Sequence, residues 1–121
     1  MAAQHILVVD DDPNIRQAIQ WALEDDGLKV ETAADGRQAV ERVAAHRPSL
    51  MVLDMALPLL DGRQVVQELR ANYGDAPPIV VITADGRAGE KAKQVGALAY
   101  LRKPFEVESL VAAVRSGLSQ V

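Results

Sequence analysis

Residues 49–62 read SLMVLDMALPLLDG, and the reading of this stretch decides the fold. Four apolar side chains at 50–53 run without interruption, stop at the single carboxylate of Asp54, and give way to a turn carrying Pro58 and Gly62. An unbroken apolar run of strand length is a strand buried on both faces, as in a parallel sheet covered by helices. A charge at its end stands at the carboxyl edge of the sheet, where open α/β sheets bind their ligands. Asp54 is therefore the residue that needs explaining.

Outward from it, the same unit recurs. Residues 6–9 (ILVV) form a second buried run, closed by Asp10, Asp11 and Asp12. Asp12 suits an N-cap and Pro13 the first helical position, after which Ile15, Ala18, Ile19, Ala22 and Leu23 keep helical spacing up to Gly27. Residues 28–33 (LKVETA) follow as a strand, then a helix over about 36–46 that aligns Val40, Val43 and Ala44. Behind the opening stretch, residues 62–72 put Val65, Val66 and Leu69 on one helical stripe, and Pro77 and Pro78 lead into the strand IVVIT at 79–83. A weak helix over about 86–95 aligns Ala88, Ala92 and Val95, the strand ALAYLR covers 97–102, and Val107, Leu110, Val111, Val114 and Leu118 mark a last helix. Five strand–helix units predict one α/β domain over 1–121, a doubly wound parallel sheet with helices on both faces.

Composition narrows the chemistry. The 121 residues suffice to bury a self-supporting core, and the absence of cysteine removes disulfides, thiolate metal sites and thiol nucleophiles together. The N-terminus shows no secretion signal and no apolar run is long enough to span a bilayer, so the expectation is a cytoplasmic chain without membrane insertion. A net charge of −4, with the only dense charge cluster acidic, argues against direct nucleic-acid binding, which needs a basic patch.

If the strands ending at Val9 and Asp54 are neighbours, their ends lie roughly 5 Å apart, and Asp10, Asp11 and Asp54 share one crevice. Carboxylates that close repel unless a cation intervenes, and an all-oxygen site suits Mg²⁺, or Mn²⁺, better than Zn²⁺, which ordinarily takes His or Cys. Thr83 closes the fourth strand with a hydroxyl and Lys103 follows the fifth with an ammonium, both at the same edge. Together these groups could neutralise phosphoryl oxygens while a carboxylate attacks phosphorus.

The motifs ILVVDDDP, LDMALPLLDG, VVITA and AYLRKPF, in that order, resemble the receiver domain of two-component response regulators over essentially the whole chain. The resemblance implies a flavodoxin-like fold of strand order 2-1-3-4-5 and a signalling role rather than an enzyme's. Asp54 would be the phosphoacceptor, supplied by a histidine kinase, a histidine phosphotransfer protein or a small phosphodonor. Asp11, Asp54 and the Ala56 carbonyl would ligate Mg²⁺, with Asp10 acting through water. Lys103 would pair with the phosphoryl oxygens, Thr83 would move to hydrogen-bond one of them, and Tyr100 would swing inward to report the change to a downstream protein partner. The resemblance also implies a cis peptide between Lys103 and Pro104, and it places Ala56 and Asp85 beside the phosphoryl group.

Some residues depart from the family's pattern. The segment 84–95 is about two residues short and carries Gly86 and Gly89, so its helix is expected to be short and mobile. Alternation puts Leu98 and Tyr100 on one face of an edge strand, to pack under that helix or to meet a partner or a second copy in a weak homodimer. Trp21 falls off the buried stripe of its helix, on the side where kinases of this family dock. His5 and His46 have no acidic or histidine partner at ligand spacing and read as surface residues. A haloacid-dehalogenase-type phosphatase would need an acid at Ala56, and a flavodoxin-like cofactor binder would not tolerate three acids at its phosphate loop. A receiver-like interaction module not regulated by phosphorylation is the remaining alternative. With no output segment after the last helix, the expectation is a single-domain regulator or a domain cut from a larger protein.

Overall fold

The structure is a computed structural model that describes residues 4–119. Its elements alternate strictly: β1 (His5–Val9), α1 (Pro13–Asp25), β2 (Lys29–Ala33), α2 (Gly36–Ala45), β3 (Leu50–Asp54), α3 (Gly62–Tyr73), β4 (Ile79–Thr83), α4 (Ala88–Gln94), β5 (Ala99–Arg102) and α5 (Val107–Ser119). All strand pairs are parallel, in the order β2-β1-β3-β4-β5. This is the doubly wound, flavodoxin-like α/β sheet that the alternation and the resemblance predicted.

Between their end residues the three central strands are apolar because both of their faces are covered. Ile6 and Val8 of β1, with Leu50 and Val52 of β3, pack against Ile19 and Leu23 of α1 and Leu110 and Val114 of α5. Their neighbours Leu7, Val9, Met51 and Leu53 point the other way, onto Val40, Val43, Val65 and Leu69 of α2 and α3. Each such Leu, Ile or Val contributes about 1.5–3 kcal/mol by leaving water. A polar residue in the middle of β1 or β3 would lose that on one face or the other, so the chemistry-bearing residues sit at the strand ends, Asp54 closing β3 and Asp10 following β1.

Caps fix where the helices begin. Asp12 accepts from the Asn14 and Ile15 backbone N–H groups at 2.9 and 3.4 Å, with Pro13 at the first helical position. Asp61 and Gln64 form a reciprocal capping box on α3. Gly27 and Gly74, at φ 87° and 83°, end α1 and α3 in the left-handed region open to glycine. Between β3 and α3, Leu59 sits at φ 68° while the Leu60 N–H donates to the Pro58 carbonyl at 2.8 Å, a tight γ-turn.

Three expectations need correction. The fourth helix starts at Ala88 rather than near Gly86, because Thr83 Oγ1 and Asp85 Oδ1 take the Asp85 and Arg87 N–H groups in two successive side-chain turns. Strand β5 begins at Ala99, so alternation does not reach back to Leu98. Leu98 reaches α5, where a Cβ on Gly117 would lie 3.3 Å from it, yet it also lines one groove with Tyr100 and Gly89 of α4. His5 is not a surface residue either: it opens β1, is 5% exposed, and stacks on His46. The peptide between Lys103 and Pro104 is cis, as the resemblance implied. Among the described residues, no helix is long and apolar enough to cross a membrane.

Candidate functional site

Parallel pairing sets the ends of β1, β3, β4 and β5 side by side. Val9 pairs with Leu53, Asp54 with Ile82, and Thr83 with Arg102, so Asp10, Asp54, Thr83 and Lys103 emerge at one edge. Asp10, Asp11 and Asp54 each place a carboxylate oxygen within 4.8 Å of the other two. Asp10 and Asp54 are buried, at 0% and 2% exposure, while Asp11 is exposed at the mouth of the crevice.

One ammonium serves the two buried acids. Lys103 Nζ lies 2.8 Å from Asp10 Oδ2 and 3.1 Å from Asp54 Oδ2. Burial pushes the Asp54 carboxyl above the usual carboxylate range; the Ala56 N–H and Lys103 pull it back, and the Asp10 charge pushes it further up. Burial alone would lower the Lys103 ammonium, but Asp10 and Asp54 outweigh it and hold the group above its ordinary value. Two buried anions thus face one cation, and one negative charge is left over for an incoming positive group.

The loop after β3 orients the nucleophile candidate. The Ala56 N–H donates to Asp54 Oδ1 at 3.0 Å, and Ala56 itself is exposed. Gly62 holds this loop down: a Cβ there would come within 2.8 Å of Met55 Cα and 2.9 Å of the Asp54 carbonyl oxygen. Thr83 is 1% exposed, and its Oγ1 accepts from the Asp85 N–H at 3.1 Å, leaving its own O–H free to donate. Tyr100 is 54% exposed over Gly89 of α4. Asp85 turns toward α4: its carboxylate accepts from the Arg87 N–H at 2.8 Å and lies 3.4 Å from Lys91 Nζ, which together hold it below the usual range.

Sequence reasoning missed one cation at the corner. Arg16 Nη1 donates to the Asp10 carbonyl at 2.8 Å and ties the acidic turn to the first turn of α1. Its signal was an Arg four residues behind an N-cap, a spacing that returns a long side chain over the helix start. An apolar groove also opens beside Lys103, lined by Asn14, Ile15, Ala18, Ala84, Pro104 and Phe105.

A five-stranded 2-1-3-4-5 sheet thus gathers an acid cluster and a lysine at its carboxyl edge, where doubly wound α/β folds bind their ligands. The chain belongs to the response regulator receiver domain family, whose pattern matches residues 6–115, and is thus a regulatory domain of two-component signal transduction. It is 43% identical over 113 residues to the response regulator MprA of Mycolicibacterium vanbaalenii, covering 92% of this chain and 48% of that protein. The chain therefore spans about half the length of the curated relatives it matches. Among solved structures it is similar to the Vibrio cholerae chemotaxis protein CheY4, with 34% identity and TM-score 0.83 over 95% of this chain and 98% of that one. The Francisella response regulator 1452 receiver domain superposes at TM-score 0.87 with 27% identity, over 97% and 98% of the two chains.

Proposed function

We propose that this domain accepts a phosphoryl group on Asp54 from a histidine kinase or histidine phosphotransfer protein and so switches its affinity for a downstream protein. The observation that carries the reading is the buried Asp54 beside Asp10 and Asp11, with the Lys103 ammonium 3.1 Å from its Oδ2. A carboxylate oxygen of Asp54 attacks phosphorus as the donor's P–N bond breaks, and the departing imidazole takes up a proton. Lys103 stays on the transferred oxygens, the Ala56 N–H orients the acceptor, and the free O–H of Thr83 donates to a phosphoryl oxygen. The domain assists its own modification and turns over no separate substrate.

The donor set fits a hard divalent ion: three carboxylates, no sulfur or imidazole, and more buried negative charge than Lys103 neutralises. Asp11, Asp54 and the Ala56 carbonyl would hold Mg²⁺ (or Mn²⁺), with Asp10 acting through water. When bound, the ion supplies charge neutralisation of the phosphoryl oxygens.

Thr83 turning to the phosphoryl group frees the Asp85 N–H and loosens the turns that precede α4. Tyr100, lying over Gly89, then has room to move inward, which changes the α4–β5 surface offered to a partner. The groove beside Lys103 suits the donor protein, and Trp21, 61% exposed and one turn beyond Ala18 on α1, extends its rim as an anchor. No segment of the reading requires a membrane, and a cytoplasmic setting agrees with a kinase donor.

Incubation with acetyl phosphate and Mg²⁺, followed by intact mass, tests it. The wild type gains one phosphoryl group, Asp54→Asn gains none, and chelation of Mg²⁺ suppresses the gain. A wild type that gains no mass would instead mark an interaction module that works without phosphorylation.

A further inference from the structure

At the opposite end of β1 from Asp10, a second set of donors converges that the phosphorylation chemistry does not use. His5 opens β1, Glu31 lies on β2 opposite Leu7, and His46 is the residue that ends α2. Parallel pairing puts the His5 and Glu31 side chains on the sheet face that α2 covers, so α2 delivers His46 onto them. One ring nitrogen each of His5 and His46 and a Glu31 carboxylate oxygen all lie within 4.8 Å of one another. The backbone fixes the arrangement, since the Ser49 N–H donates to the His5 carbonyl and the His46 N–H to the Arg42 carbonyl, both at 2.9 Å.

We propose that His5, Glu31 and His46 form a binding site for a borderline divalent transition-metal ion, of the zinc type, separate from the acidic crevice. A hydrogen-bonded cluster without metal accounts for only part of what is seen. His46 Nδ1 is satisfied by Glu31 Oε1 at 3.1 Å, but His5 Nε2 is 3.8 Å from the same oxygen. Among the described residues this buried nitrogen has no hydrogen-bond partner, and no Lys or Arg pairs with Glu31. A buried polar atom without a partner costs about 1–3 kcal/mol, so one aimed at a carboxylate and a second imidazole calls for a group to fill the gap.

A cation fills it where water would serve less well. Two imidazole nitrogens and one carboxylate oxygen are the donor set of three-ligand zinc sites, which leave a fourth position open to solvent. Mg²⁺ and Ca²⁺ prefer oxygen alone, so the two ends of β1 select different ions. The two rings stack with centroids 4.0 Å apart and planes 13° apart, which sets their lone pairs side by side rather than convergent. One ring must turn to bind, and His46, whose side chain is 65% exposed, is the one free to do so.

Titration of the untagged protein with zinc chloride against a chromophoric chelator, in excess Mg²⁺ to occupy the acidic crevice, tests the site. One zinc binds per chain, His46→Ala and Glu31→Gln each weaken it about tenfold or more, and Asp54→Asn leaves it unchanged. Both His46 and Glu31 are at the open side of the cluster, so melting curves of the two variants are expected to overlay the wild type without zinc. Wild type that binds no zinc, variants that titrate like wild type, or a loss that follows Asp54→Asn would each overturn the proposal.

Discussion

The crevice around Asp54 and the flank formed by α4 and β5 are built from the same strand–helix unit but by opposite means. At the crevice the buried charges are held: Asp54 by the Ala56 N–H and Lys103, Asp10 by Lys103, and the loop above them by a Gly62 that cannot carry a Cβ. At the flank, α4 has seven residues, no side-chain cap and an interior glycine, and the large side chain against it, Tyr100, is half in solvent. Chemistry needs donors fixed within a fraction of an ångström, whereas a switch needs an element with two arrangements of similar free energy. On the proposed function, phosphoryl acceptance belongs to the rigid region and its report to the soft one.

Adding one methyl group in each region is the sharpest way to break the comparison. In Gly62→Ala the new Cβ meets backbone at Met55 and Asp54, which cannot move without displacing the end of β3. A loss of up to about 3 kcal/mol is expected in denaturant unfolding, together with impaired phosphoryl uptake. Wild-type stability in this variant would show that the crevice is more compliant than described.

The next effect is electrostatic. Asp54 is buried with its pKa raised, so in the folded chain it binds its proton more tightly than in the unfolded chain. Above the ordinary Asp value the unfolded state therefore loses this proton first, and stability falls as pH rises through the interval up to the folded value. Without Mg²⁺, Asp54→Asn removes that penalty and melts a few degrees higher at pH 7, the shift that about 1 kcal/mol produces in a domain of this size. The gain shrinks toward pH 4. A difference between the two proteins that is independent of pH would show that burial of the charge is not its cause.

The smallest effect belongs to the flank. Gly89→Ala places its Cβ 3.3 Å from the Tyr100 hydroxyl, the mobile end of a side chain that can step aside. Helix propensity then dominates, and the variant gains up to about 1 kcal/mol with slower amide exchange confined to α4. Destabilisation comparable to Gly62→Ala would erase the distinction between the two regions.

The rigid region was also the legible one, for a physical reason. A strand buried on both faces has to be apolar, so the residues that end ILVV, LMVL and IVVI announce themselves as Asp10, Asp54 and Thr83, and parallel pairing brings them together. Lys103 was legible only as the strand-end cation opposite them. What escaped depended on contacts between residues distant in sequence or on competition for local hydrogen bonds. His5, Glu31 and His46 have no sequence spacing in common and meet only because α2 returns over β1 and β2. The late start of α4 follows from Thr83 and Asp85 capturing backbone N–H groups, which no apolar period reveals.

The most direct test of the division between a fixed site and a soft reporter is amide hydrogen exchange before and after phosphorylation with acetyl phosphate and Mg²⁺. The account predicts that exchange changes over residues 84–102, spanning α4 and β5, while α2 keeps its rate. Phosphoryl uptake on Asp54 with unchanged exchange over 84–102 would contradict it.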